Sequence, residues 1–306
     1  MLPRLLLTTS RLCVLSQVVL SNFFGMPAGC YYVHHIIMHH QANNVFPYDI
    51  SSTMPYRRDS PLHFIAYVIN FMLHTMLYLP FYAIRGRRFD LAFGVTLCCG
   101  VYLSLFPILY SVRPYFFITT FAISWVLGPF ALMLGNYSQH IFVNPDDPKS
   151  NYGLACNHLN ARFNMLTFND GYHITHHVNE HTHWSEMPRH FIRNLESYEQ
   201  GGAILFHGIT FDDITFNVFA GEPGLRRLAK KVIQITPEHL SEEELMALFK
   251  KRLQPITSES EKLGFPQMSV FLANEFMWLG LYVFGFPFAI IPATMIPLFH
   301  GLYFLA

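Results

Sequence analysis

The sequence predicts an all-α fold: a multi-pass transmembrane helical bundle with a polar cytoplasmic cap that carries clustered histidines. Three observations predict it. The 306 residues are 52% hydrophobic and only 13% charged, about half the charged share of an ordinary soluble domain. Five apolar stretches approach or exceed the ~20 residues needed to cross a bilayer. Most of the charged residues fall between His140 and Glu261, which leaves the remainder nearly uncharged.

The apolar stretches run Leu12–Val33, Pro61–Ile84, Leu91–Val112, Tyr115–Leu134 and Phe276–Ala306. The first 48 residues contain no acid and carry Arg4 and Arg11. That pattern fits a transit peptide or signal anchor, and equally the opening of a first membrane segment, which is the preferred reading. The last stretch is long enough for a tight hairpin broken at Pro287 and Pro292. The division that follows is 1–139 for the transmembrane helices, 140–265 for the polar cap, and 266–306 for a C-terminal hydrophobic segment. Within the cap, the EEEL and FKKRL runs predict an amphipathic helix.

Composition also excludes some functions. Lys+Arg and Asp+Glu balance at 20 each, so there is no electrostatic footprint for nucleic acid. The five cysteines, Cys13, Cys30, Cys98, Cys99 and Cys156, are odd in number and lack CxxC spacing. Disulfide and zinc-ribbon frameworks both fit poorly.

The histidines carry the chemistry. Nine of 17 sit in two windows, HHIIMHH at 34–40 and HITHHVNEHTH at 173–183. On a helix, residues three or four apart share a face. His35 and His39 therefore project together with His40 beside them, and His173, His176 and His177 repeat the arrangement. Neutral imidazole suits iron, copper, zinc and nickel. Two facing groups of imidazoles can hold two metal ions and leave positions open, which suits iron that must bind dioxygen. A structural zinc site would be closed by four ligands, usually including cysteine. A third element, GNYSQHIF at 135–142, leaves the apolar stretch ending at Leu134. It places Asn136 and His140 four apart on the exit face, and polar residues at such a boundary are functional candidates.

These residues resemble the membrane fatty-acid desaturase and hydroxylase superfamily. HIIMHH at 35–40 matches its second histidine box and HITHH at 173–177 its third. NYSQH at 136–140 matches its N-x-x-x-H element. NDGYHITHHVNEHTHWSEMP and NNVFPYDISSTMPYRRDS look like a fungal and algal branch of largely unassigned activity. The resemblance implies a centre of two iron ions held by His35, His39, His40, His140, His173, His176 and His177, with Asn136 contributing through water. Asp170, Glu180, His34 and His183 are expected around these ligands. It also implies dioxygen, a lipid or fatty-acyl substrate, and electrons from a b-type cytochrome or ferredoxin. The setting would be a membrane, that of the endoplasmic reticulum or another organelle. The family carries an earlier H-x(3–4)-H box, whereas no histidine precedes His34 here. Seven imidazoles stand where the pattern expects about nine, so a further upstream box is expected in a fuller transcript. The rival readings are a catalytically inactive membrane scaffold and a zinc-dependent membrane hydrolase.

Parity sets a topological expectation. Two histidine groups sharing one site lie on one side of the bilayer, yet three apolar stretches separate them. Leu91–Val112 and Tyr115–Leu134 read as a hairpin about Arg113 and Pro114. Pro61–Ile84 contains His63, Asn70 and His74, so it is expected to be interfacial or re-entrant. Arg85, Arg87 and Arg88 would then share the cytoplasmic side with the histidines.

Overall fold

The computed structural model describes residues 19–256, 275–283, 285 and 289. The described chain is mostly helical, as an all-α membrane bundle requires. Three of its helices, Pro61–Arg85, Phe89–Val112 and Pro114–Gln139, are long and apolar enough to cross a membrane. One small departure from all-α is a two-stranded parallel sheet, in which Cys156–Leu159 pairs with Ile204–His207. Cys13, the start of Leu12–Val33, and most of Phe276–Ala306 with its predicted hairpin lie outside the described residues.

The chain folds into two compact units that interleave along the sequence. The first takes Met1–Gln41, Val68–Leu132 and Leu263–Leu305, as far as these are described; the second takes Ala42–Tyr67 and Met133–Lys262. This division differs from the expected one in chain order. The loop after the first histidine group goes with the polar unit because its polar groups are buried there. Arg58 is fully buried. Its guanidinium donates to the carbonyls of Ile141 at 2.9 Å, Met54 at 3.1 Å, Thr53 at 3.2 Å, Arg252 at 2.7 Å and Gln254 at 2.6 Å. One side chain thus ties three chain segments of the second unit together.

In the first unit, Phe89–Val112 shows why the sequence reads as membrane. Phe89, Phe93, Leu97 and Val101, spaced by four, are exposed, while Ala92, Val95, Cys99, Tyr102 and Phe106 are buried. An apolar stripe that faces outward fits lipid rather than water. The predicted hairpin break falls at Arg113, where the chain leaves one helix before Pro114 opens the next. Tyr110 and Phe106 lie 6.1 and 5.3 Å from Phe117, and Tyr102 lies 6.3 Å from Phe121. Partners that descend on one helix as they ascend on the other mark an antiparallel pair.

One expectation is revised, and the motive for another is removed. The described part of Leu12–Val33 is not one helix. A short helix, Ser21–Phe23, is followed by a turn through Gly25 and Gly29, both at positive φ. Glycine is needed there for more than its dihedral: a Cβ on Gly25 would meet Ser124 O at 2.0 Å, and one on Gly128 would meet Phe24 O at 1.8 Å. Pro61–Ile84, expected to be interfacial or re-entrant, is part of one continuous 25-residue helix. Its Asn70, His74 and Thr75 are buried within the protein, and His74 Nδ1 bonds the Asn70 carbonyl at 3.0 Å. The cost of exposing these groups to lipid, which motivated the expectation, does not arise.

In the second unit, Glu242–Arg252 forms the expected amphipathic helix. Ser241 and Glu244 close a capping box, and Leu245, Met246 and Phe249 are buried. Three glutamates in its first turn and Lys250, Lys251 and Arg252 in its last complement the helix dipole.

Candidate metal centre

The HITHH segment is a six-residue helix, His173–Val178, too short to be stable by itself. It is held by what its non-histidine residues touch. Ile174 is fully buried in a core with Leu154, Leu159, Tyr172, Phe191 and Tyr198. Thr175 Oγ1 lies 2.6 Å from the Tyr198 hydroxyl. The Ile174 amide, an orphan donor of the first turn, donates to Asn157 Oδ1 at 2.8 Å. The preceding NDG turn sets the entry angle. Phe168 and Asn169 take positive φ, and Gly171 packs so closely that a Cβ would meet Asn164 Oδ1 at 2.3 Å and the His158 carbonyl at 2.6 Å.

With the helix so fixed, His173 and His177 face His140 at the end of Ile123–Gln139. The three Nε2 atoms form a triangle: His140–His173 at 3.0 Å, His173–His177 at 3.2 Å and His140–His177 at 3.3 Å. All three rings are buried. The outer nitrogens decide the protonation. His140 Nδ1 lies 2.9 Å from the Leu154 carbonyl, which can only accept, so Nδ1 carries the proton. His177 Nδ1 lies 3.3 Å from Asn43 Oδ1. The Asn43 Nδ2 is already donating to Asn151 Oδ1 at 2.8 Å, which leaves Oδ1 as the acceptor. Both rings therefore aim bare Nε2 lone pairs into one space beside His173 Nε2, as ligands of a single cation would. Adjacent ligands about 2.1 Å from one ion sit about 3 Å apart at right angles, the spacing found. The donor set fits a metal ion held by imidazole alone.

The surrounding residues hold this geometry. Asp170 Oδ1 lies 3.9 Å from His173 Nδ1, and Gln139 Nε2 donates to Asp170 Oδ2 at 2.9 Å. At that distance the carboxylate faces His173 without a direct hydrogen bond to it. Thr53 donates to the His140 carbonyl at 2.7 Å, and Asn44 Oδ1 accepts from the Thr53 amide at 2.8 Å. His176, half-buried on the same helix, has its ring 5.8 Å from His173 and 6.0 Å from His177.

In the first unit, HHIIMHH does not follow the α-helical spacing assumed for it. Tyr32–His39 is a π-helix, and the His40 amide bonds the His35 carbonyl five residues back. The wider turn brings His35 and His40 together, with Nε2 atoms 3.3 Å apart. On an α-helix, residues five apart diverge by about 140°. His39 is fully buried, its ring stacked 5.5 Å from His35. Tyr31 stacks on His35 at 5.1 Å, and Tyr82 donates to the Ile37 carbonyl at 3.3 Å. Short π-helical stretches of this kind recur at functional sites.

The remaining predicted residues, together with Glu186 and His158, have definite places. Asn136 Nδ2 donates to Tyr67 Oη at 2.7 Å and to the Ser51 carbonyl at 3.1 Å, so its amide nitrogen braces the loop of the second unit. His34 is buried against Phe71, with ring centroids 4.8 Å apart. Glu180 lies 3.8 Å from the exposed His181, and Glu186 pairs with Arg189 at 3.2 Å. His183 is exposed and caps the turn Trp184–Glu186. His158 is buried in the strand Cys156–Leu159, where desolvation lowers its pKa to about 4. Sequence reasoning missed Asn43, Gln139, Thr53 and the Leu154 carbonyl. The Asn pair three residues after His40 was a signal available for the first; a backbone carbonyl leaves none.

Among known proteins, the family model described as fatty acid desaturase matches residues 6–208. Neither the curated proteins nor the solved structures yield a match. The match spans well over half of the chain and contains both histidine groups and His140, and the chain belongs to the fatty acid desaturase family.

Proposed function

We propose that this protein is a dioxygen-dependent oxidoreductase with a histidine-held diiron centre, which desaturates or hydroxylates a fatty-acyl or other lipid-like substrate. One observation carries the reading: three buried imidazoles, two of them with the outer nitrogen committed, converge their Nε2 atoms within 3.3 Å of one another. Family membership adds the reaction class. The proposed ligands are His35, His39, His40, His140, His173, His176 and His177. Bound iron would supply the reduction of dioxygen and the oxidation of an unactivated C–H bond, chemistry that no side chain provides.

The chain's own residues bind and orient. The Leu154 carbonyl and Asn43 keep the protons of His140 and His177 on Nδ1. Asp170 lies behind His173. Burial of the triad excludes water and strengthens each of these interactions. The three apolar helices support a membrane setting, and the lipid substrate and an endoplasmic reticulum or other organellar location are part of the proposal. So is a b-type cytochrome or ferredoxin as electron donor.

Metal analysis of the full chain, purified in detergent and reduced without oxygen, tests the centre. About two irons per chain are expected. Zinc instead would favour a hydrolase, and no metal a scaffold. Expression in a cell of known lipid composition tests the reaction. Mass spectrometry should find a lipid changed by two hydrogens or one oxygen, and unchanged lipids despite iron loading would overturn it.

A further inference from the structure

We infer that Asn43 is a positioning residue that selects which nitrogen of His177 is offered to metal. The inference rests on the metal-centre reading above and adds a residue outside the histidine pattern. Asn43 sits just after the first histidine group, yet its side chain serves the second. Its Oδ1 lies 3.3 Å from His177 Nδ1. Its Nδ2 donates to Asn151 Oδ1 at 2.8 Å, so the amide turns only together with that of Asn151. Were the amide reversed, an N–H would face Nδ1. The imidazole proton would then move to Nε2, and His177 would lose its lone pair toward His140 and His173. The amide orientation is therefore the tautomer choice. The backbone contributes too. Asn43 and Asn44 have φ of 50° and 60°, a region in which asparagine is enriched several-fold over most residues. Asparagine here satisfies both the turn and the imidazole.

The test compares Asn43→Gly with Asn43→Asp. Glycine tolerates the positive φ and removes the acceptor without straining the turn. Aspartate keeps an acceptor that cannot be reversed. Ferrous iron is titrated anaerobically against a competing chelator, and the melting temperature of the metal-free protein is followed alongside. Loss of an outer partner of a ligating histidine typically weakens metal binding about 10–100-fold. Asn43→Gly is expected to bind ferrous iron that much more weakly, with the metal-free melting temperature near that of the parent. Asn43→Asp should bind within a few-fold of the parent. Equal affinity in Asn43→Gly and the parent would overturn the role of Asn43 and leave the metal centre standing. Asn43→Asp as weak as Asn43→Gly would also overturn it. A parent chain that takes up no ferrous iron would overturn both readings.

Discussion

The two histidine groups contain the same HH doublet on backbones of different pitch. Around His173 and His177 the backbone is α-helical, and residues four apart meet with Nε2 atoms at 3.2 Å. Around His35 and His40 it is a π-helix, and residues five apart meet at 3.3 Å. Similar ring spacing thus arises from two sequence spacings, because the backbone absorbs the extra residue. Burial varies within each group as well. His39, His140, His173 and His177 are buried, whereas His35, His40 and His176 are half-buried. A histidine count treats these residues as equals, and the structure separates buried from half-buried imidazoles within each group.

The sharpest way to break this comparison is to remove one imidazole from each group. His173→Ala should lower ferrous affinity by more than the ~100-fold that loss of an outer partner can cost. His35→Ala should cost less, since water can reach its place. Iron titration of both variants decides the order, and a reversed order would show that burial is the wrong guide.

The units also differ in how they are held. The second relies on buried polar ties, above all Arg58. Burial lowers the Arg58 pKa to about 10, so the group remains charged at neutral pH. Arg58→Met should cost about 3–5 kcal/mol, because several buried carbonyls lose their donor at once. Thermal unfolding in detergent measures it.

His158 gives the second unit a pH dependence. Its folded pKa of about 4 lies below the ordinary 6.5, so the neutral ring is favoured by folding. The contribution is complete above about pH 6.5 and is lost as pH falls toward 4, on the order of 3 kcal/mol in all. His158→Gln should flatten the profile of melting temperature between those limits. An unchanged difference between the two proteins across that range would refute the assignment.

The first unit relies instead on close backbone approach. Gly128→Ala would place a methyl against Phe24 O, and overpacking of this kind costs about 1–3 kcal/mol. The same melting assay should show this smaller loss. A neutral result would mean that the turn around Phe24 yields easily.

Much of the site was legible in the sequence. His140, His173 and His177 were singled out by spacing and resemblance, and their Nε2 atoms converge. The break at Arg113 and the Glu242–Arg252 helix were legible because Pro114 and the charge pattern act locally. The burial of the polar groups of Pro61–Ile84 was not. Its Asn70 and His74 look costly in any list of residues, and only packing shows that they are covered.

The sequence by itself determined the class of molecule and the grouping of its histidines along the chain, because apolar run length, residue type and short-range periodicity are properties of neighbours along the chain. Tertiary structure alone decided the π-helical pitch at His35–His40, the buried carbonyl clamp of Arg58, and the partnership of Asn43 with His177. Each of these depends on groups far apart in sequence, whose hydrogen bonds become worth making only once folding has removed the competing water.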